Sequence, residues 1–150
     1  MTAPNTLHSL PTEIVVVEDK SEDRKSILVA LNTFVSPSHI ADFAHENDAR
    51  AFFARLDDLP EASWENALRL IILDFHIDGH TSLPLLKHLR ASKVTRHTPV
   101  VIFSDSDEIV AVRKSYELGA NAFVTKPVDF EAFDEAVQAI AYFWLDNNRI

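Results

Sequence analysis

Hydrophobic residues along the chain occur in two alternating patterns. Short unbroken aliphatic runs stand at Ile14–Val17, Leu70–Leu73 and Val100–Phe103. Between them lie longer stretches in which apolar residues recur every three or four positions. A run with no polar member reads as a strand buried on both faces; a recurrence near 3.6 reads as a helix with one buried stripe. Helix is expected from about Ser21, with Ile27, Leu28, Leu31, Phe34 and Val35 inward, and it is stopped by Pro37. Further helices are expected over 46–57 (Ala49, Phe52, Phe53, Leu56), from about Ser82 (Leu83, Leu85, Leu86, Leu89) and over 107–118, closed by Gly119. A last long helix runs from a cap at Asp129 to about residue 147. Weaker strands are expected at 39–43 and 122–124, and residues 58–66, with Pro60 and Trp64, read as a loop. The segment after Asp74 reads as a loop holding the turn pair Asp78-Gly79.

Five strands alternating with five helices imply an α/β domain, a doubly wound parallel sheet covered on both faces with right-handed crossovers. Residues 1–12, polar and containing Pro4 and Pro11, are expected to be a flexible leader to one domain spanning 13–150.

Composition narrows the chemistry. The 150 residues include no cysteine, which excludes disulfides, thiol catalysis and thiolate-held metals. With 2 glycines, no dinucleotide fingerprint or Gly-rich phosphate loop exists. A net charge of -9 argues against nucleic acid as a partner and for a cation. No apolar run approaches the ~18 residues of a membrane span, and residues 1–13 lack the basic and apolar regions of a signal peptide. A cytoplasmic protein without membrane contact is therefore expected.

In such sheets ligands bind beyond the carboxyl ends of the strands. Those ends supply Glu18 and Asp19, then Asp74, Ser104 and Lys126. Three carboxylates brought together repel one another, and a hard divalent cation such as Mg²⁺ relieves the repulsion. With an ammonium beside them, such a site suits a phosphoryl group, and one carboxylate can serve as its nucleophile.

The segments IVVVED (14–19), LIILD (70–74), PVVIFS (99–104) and ANAFVTKP (120–127), in this order and spacing, resemble the response-regulator receiver domains of two-component signalling. The resemblance spans about residues 13–140. It implies a flavodoxin-like sheet of order 2-1-3-4-5 with five flanking helices. It further implies Asp74 as phosphoacceptor, and Glu18, Asp19, Asp74 and the backbone carbonyl of His76 as Mg²⁺ ligands. Lys126 is then the phosphoryl partner, and Ser104 and Phe123 the switch residues. The implied phosphoryl donor is a sensor histidine kinase or phosphotransfer protein, and the implied signalling face comprises helix 4, strand 5 and helix 5. Three positions depart from the family pattern: Asp78 where proline is usual, Ser82 where glycine is usual, and Asp105 where a small residue follows the switch hydroxyl.

Phe130, Phe133, Val137, Ile140 and Trp144 form a seam with alternating spacings of 3 and 4, beside a second stripe that includes Phe143. The ending AYFWLDNNRI resembles phytochrome-associated single-domain response regulators, which implies a phytochrome-type kinase and a homodimer through these six aromatic and aliphatic residues.

Two other readings are open to the same residues. Asp74, His76, Asp78 and His80 alternate as a dinuclear metallohydrolase ligand set would in extended backbone, although Asp78-Gly79 favours a turn. A pseudo-receiver, folded but never phosphorylated, accommodates the Asp78 and Asp105 departures. Taken singly, the strand-end acids also read as helix-terminal charges, Ser104 as a helix cap and Phe123 as core packing.

Overall fold

The computed structural model describes residues 12–60 and 68–147. All but the last position of the expected leader lies outside the described residues, as do Trp64 and most of the loop around it. The elements run in order as β1 (Ile14–Val17), α1 (Ser21–Leu31), β2 (Ile40–Phe43), α2 (Glu46–Asp57), β3 (Leu70–Leu73), α3 (Leu83–Ala91), β4 (Val100–Ser104), α4 (Ile109–Glu117), β5 (Ala122–Thr125) and α5 (Phe130–Ala141).

The unbroken apolar runs form the three central strands, and every residue of β1, β3 and β4 is buried. All pairings within the five-stranded sheet are parallel and its order is β2-β1-β3-β4-β5, as expected. Side chains alternate across the sheet with period two. Val15, Val17, Ile71, Leu73, Val100 and Ile102 face Phe53, Leu56, Leu86 and Leu89 of α2 and α3. Ile14, Val16, Leu70, Ile72, Val101 and Phe103 face Ile27 and Leu31 of α1 and Phe133, Val137 and Ile140 of α5. The strand register sets which polar residues meet at the carboxyl edge. Val17 pairs with Leu73, so Glu18 and Asp74 enter their loops side by side, and Ser104 pairs with Thr125, one residue before Lys126.

The structure corrects the expected elements in three places. The first helix ends at Leu31, and Phe34 and Val35 then cover the α1/α5 core from a turn. A short 3₁₀ segment, Pro37–His39, comes next, with proline in its first turn where no N–H is needed. The segment after Asp74 is a hairpin of His76–Ile77 and His80–Thr81. Asp78 and Gly79 both hold positive φ, 55° and 82°, as a two-residue type I′ turn requires.

The third correction concerns the C-terminal seam. Phe133, Val137 and Ile140 lie in this chain's own core, so they are withdrawn from the expected face between copies. Past Ala141 the helix widens into a π-helical turn, Tyr142–Asn147. The wider winding brings Leu145 into the core five residues after Ile140, and Trp144, expected there, is only partly buried. Phe130 (71% exposed) and Phe143 (50%) point outward.

Candidate functional site

Glu18 and Asp19 are the first residues past β1. The loop is fixed from below and from the side: Glu18 N–H donates to Phe43 O at 3.0 Å, and Arg24 of α1 donates to Glu18 O at 2.9 Å. Arg24 also lies 3.3 Å from Asp42. Asp74 follows β3, its N–H donating to Val17 O at 3.0 Å, and Ser82 donates its hydroxyl to Asp74 O at 2.6 Å. Lys126 follows β5, its N–H donating to Ser104 O at 2.6 Å.

These anchors bring four of the five expected side chains together. Lys126 Nζ lies 2.6 Å from Glu18 Oε1 and 3.0 Å from Asp74 Oδ2. All three are almost fully buried, at 5%, 1% and 5% exposure respectively. Carboxylate oxygens of Glu18, Asp19 and Asp74 lie within 4.8 Å of one another. Asp19 is steadied by the hairpin, whose Asp78 N–H donates to its Oδ2 at 3.0 Å. The fifth residue, Ser104, is buried, and its hydroxyl accepts from Ser106 N–H at 3.3 Å within its own loop.

The His76 carbonyl is placed by register. Ser82 N–H donates to Phe75 O at 2.7 Å, so 75 and 82 are a hydrogen-bonded pair of the hairpin. Alternation makes His76 and Thr81 the non-bonded pair, and the His76 carbonyl turns away from the partner strand. Phe123 is partly buried, its ring 6.2 Å from that of Phe75, and its N–H donates to the Tyr116 hydroxyl at 3.0 Å.

The charges are strongly coupled. Burial, reinforced by the negative charge of Asp74 and opposed by Lys126, raises the pKa of Glu18 to about 8. Burial works against a charge on Lys126. The carboxylates of Asp23, Glu18 and Asp74 outweigh it and hold the lysine pKa above its ordinary value. Glu18 Oε1 has the Lys126 ammonium as its ion-pair partner at 2.6 Å. Three carboxylates with oxygens within 4.8 Å of one another are a donor set that fits a hard divalent cation.

The metallohydrolase reading does not survive this geometry. The turn at Asp78-Gly79 breaks the alternation, His76 and His80 are exposed, and Asp78 is engaged by His45 at 2.9 Å. Among the described residues no histidine joins the carboxylate cluster.

Sequence reasoning missed Asp23, in the first turn of α1, whose Oδ2 lies 2.8 Å from Lys126 Nζ. The only signal in the sequence was an acid at a helix N-terminus, which the helix dipole alone explains. It also missed the ion pair of Lys20 with Asp105, at 2.5 Å.

A buried carboxylate cluster paired with one lysine, at the carboxyl edge of a 2-1-3-4-5 sheet, defines a receiver module of two-component signalling. Residues 14–138 match the family model described as response regulator receiver domain, and the chain belongs to that family. It is 27% identical over 138 residues to the response regulator Rcp1 of Synechocystis sp., covering 91% of this chain and 90% of that protein. It is also 27% identical over 142 residues to the probable methanogenesis regulatory protein FilR2 of Methanothrix harundinacea, covering 93% and 87%. Among solved structures, the Mn²⁺-bound form of Rcp1 superposes with a TM-score of 0.73 at 25% identity, covering 93% of this chain and 99% of that one. The phosphorylated cyanobacterial phytochrome response regulator RcpA has the same fold, with a TM-score of 0.79 at 24% identity over 92% and 96% of the two chains. Among the described residues no helix is long and apolar enough to cross a membrane.

Proposed function

We propose that residues 13–150 form a response-regulator receiver domain that accepts a phosphoryl group on Asp74. The observation that carries the proposal is Lys126 Nζ held 3.0 Å from Asp74 Oδ2 inside the carboxylate cluster. The donor is a phosphohistidine of a sensor histidine kinase or phosphotransfer protein. An Asp74 oxygen forms a bond to phosphorus as the P–N bond of the donor breaks, and the electron pair returns to the imidazole nitrogen. Lys126 neutralises phosphoryl oxygen charge in a loose transition state, and its buried, pre-set position supplies much of the rate. Glu18, Asp19, Asp74 and the His76 carbonyl would hold Mg²⁺, which when bound neutralises further phosphoryl charge.

After transfer Ser104 exchanges Ser106 for a phosphoryl oxygen, and Phe123 moves with it into the space it leaves. The signal leaves through α4, β5 and α5. A second copy of the chain is the proposed partner there, with Phe130 and Phe143 as its outward aromatic contacts. Similarity to RcpA, a cyanobacterial phytochrome response regulator, supports a phytochrome-type kinase as input, in a cytoplasmic setting.

The test is intact-protein mass after incubation with acetyl phosphate and Mg²⁺. One phosphoryl group is expected on the wild type and none on Asp74→Asn or in chelator, and the label should be lost in alkali. Lys126→Ala should slow labelling about a hundredfold. A wild type that takes neither acetyl phosphate nor beryllofluoride would be a pseudo-receiver.

A further inference from the structure

Lys126 has three carboxylate partners, and only two of them belong to the cluster that a cation and a phosphoryl group would use. The third, Asp23, approaches from α1 with Oδ2 2.8 Å from Nζ. Its side chain is 27% exposed where that of Lys126 is 2%, so it contacts the ammonium from the solvent side. Its base is rigid: the next residue, Arg24, ties α1 to the Glu18 carbonyl and to Asp42. α5 packs along the same helix through a shared core.

Building on the phosphoacceptor reading, we infer that Asp23 is a positioning residue for phosphoryl transfer that acts through Lys126. The chemistry of the other two partners gives the reason. Once Asp74 carries the phosphoryl group it has lost its carboxylate charge, and Glu18 is a proposed cation ligand. Both then weaken their hold on Lys126 just when its ammonium must stay aimed at the phosphoryl oxygens. Asp23 alone takes part in neither change. It keeps one N–H of the lysine engaged and leaves the others free for the phosphoryl group. Without it the buried ammonium has a path along α1 toward water, and misplacement of a catalytic group by about 1 Å costs up to ~100-fold in rate.

The experiment measures labelling by acetyl phosphate and Mg²⁺ in the full chain, as rate against donor concentration. It uses wild type, Asp23→Ala, Asp23→Asn, Lys126→Ala and the double variant Asp23→Ala/Lys126→Ala. Asp23→Ala should lower the maximal rate about tenfold with half-saturation within about twofold. Asp23→Asn, which keeps an acceptor of the same size, should recover most of the loss. In the Lys126→Ala background, removing Asp23 should have no further effect, the signature of a residue acting through another. Melting temperatures of the Asp23 variants verify folding, and Asp23→Asn is isosteric. An unchanged rate in Asp23→Ala, or an equal loss in both backgrounds, overturns the inference and leaves the phosphoacceptor reading intact. A wild type that is not labelled overturns both.

Discussion

Lys20 Nζ and Asp105 Oδ2 are joined at 2.5 Å, linking the loop after β1 to the loop after β4 at either side of the buried cluster. The acid that departs from the family pattern is therefore a paired acid. Each partner side chain is 55% exposed, so the pair contributes under about 1 kcal/mol to stability. Its consequence is for access. Asp105→Ala frees Lys20 to attract an anionic donor and should speed acetyl phosphate labelling a few-fold. Lys20→Ala leaves Asp105 unpaired and should slow it by a similar factor. Both differences should shrink near 1 M salt, where the screening length is ~3 Å. Equal rates in all three proteins would show that the pair does not control access.

Asp78 joins two elements at once. Its carboxylate contacts His45 at 2.9 Å and accepts from Glu46 N–H at 3.1 Å, capping α2 from another loop. The hydrogen bond to Asp78 raises the His45 pKa, and the bond to His45 lowers that of Asp78. The signs fix the window. The histidine contribution is complete below its unfolded value, ~6.5, and is lost as pH rises through the folded one. The aspartate contribution is present above its unfolded value, ~3.9, and is lost as pH falls through the folded one. The pair is strongest between these limits. An NMR titration should place His45 above the ordinary histidine range in wild type and return it there in Asp78→Asn.

Glu18 makes stability depend on cation and pH together. Folded, it holds its proton to about pH 8, against an ordinary value of 4.5. The folded state binds the extra proton between these limits, so stability of the cation-free protein falls as pH rises through that interval. A divalent cation needs the ionised form. Melting in chelator and in excess Mg²⁺ should show little difference near pH 5 and a gain of several degrees near pH 8. A larger gain at the lower pH would contradict a carboxylate held protonated by burial.

Arg90 is a clamp at the opposite edge of the sheet. It donates to the carbonyls of Gly119 at 2.9 Å, Thr98 at 2.8 Å and Thr95 at 3.0 Å, and to Asn121 Oδ1 at 2.7 Å. Asn121 Oδ1 in turn accepts from Val100 N–H at 2.8 Å, so one side chain ties together the starts of β4 and β5. Arg90→Met keeps the stem and loses every donor. It should cost about 3 kcal/mol and lower the melting temperature by roughly 5–10 °C. Labelling at Asp74 should be unchanged, because the clamp lies at the far ends of the strands.

The sequence made most of the sheet legible for a simple reason. A four-residue run such as Ile14–Val17 has no polar member to point at water, so only a doubly covered strand suits it. Asp129 was equally plain, and its side chain accepts from Ala132 N–H as a cap should. Other features depend on which loop meets which. Nothing near Asp23 in the chain announces Lys126, 103 positions away, and nothing near Lys20 announces Asp105. The hairpin after Asp74 was half visible: Asp-Gly signalled the turn, but strands of two residues are too short for a periodicity. The C-terminal seam misled because a 3-and-4 spacing states that residues share a stripe, without saying whether a sheet or a second copy covers it.

The π-helical turn at Tyr142–Asn147 acts as a phase shifter for the last stretch of chain. Up to Ala141, a change on the outer stripe of α5 is geometrically tied to the inner one, because each shares its turn with residues in the core. Beyond it, Leu145 is buried and Trp144 packs partly against the same core, and Arg69 donates to the Leu145 carbonyl. Phe143 is half-exposed, yet its ring meets that of Trp144 edge-on at 4.8 Å, and Trp144 in turn packs partly against the core. A change at Phe143 is therefore relayed to the core by way of Trp144, one ring removed from it.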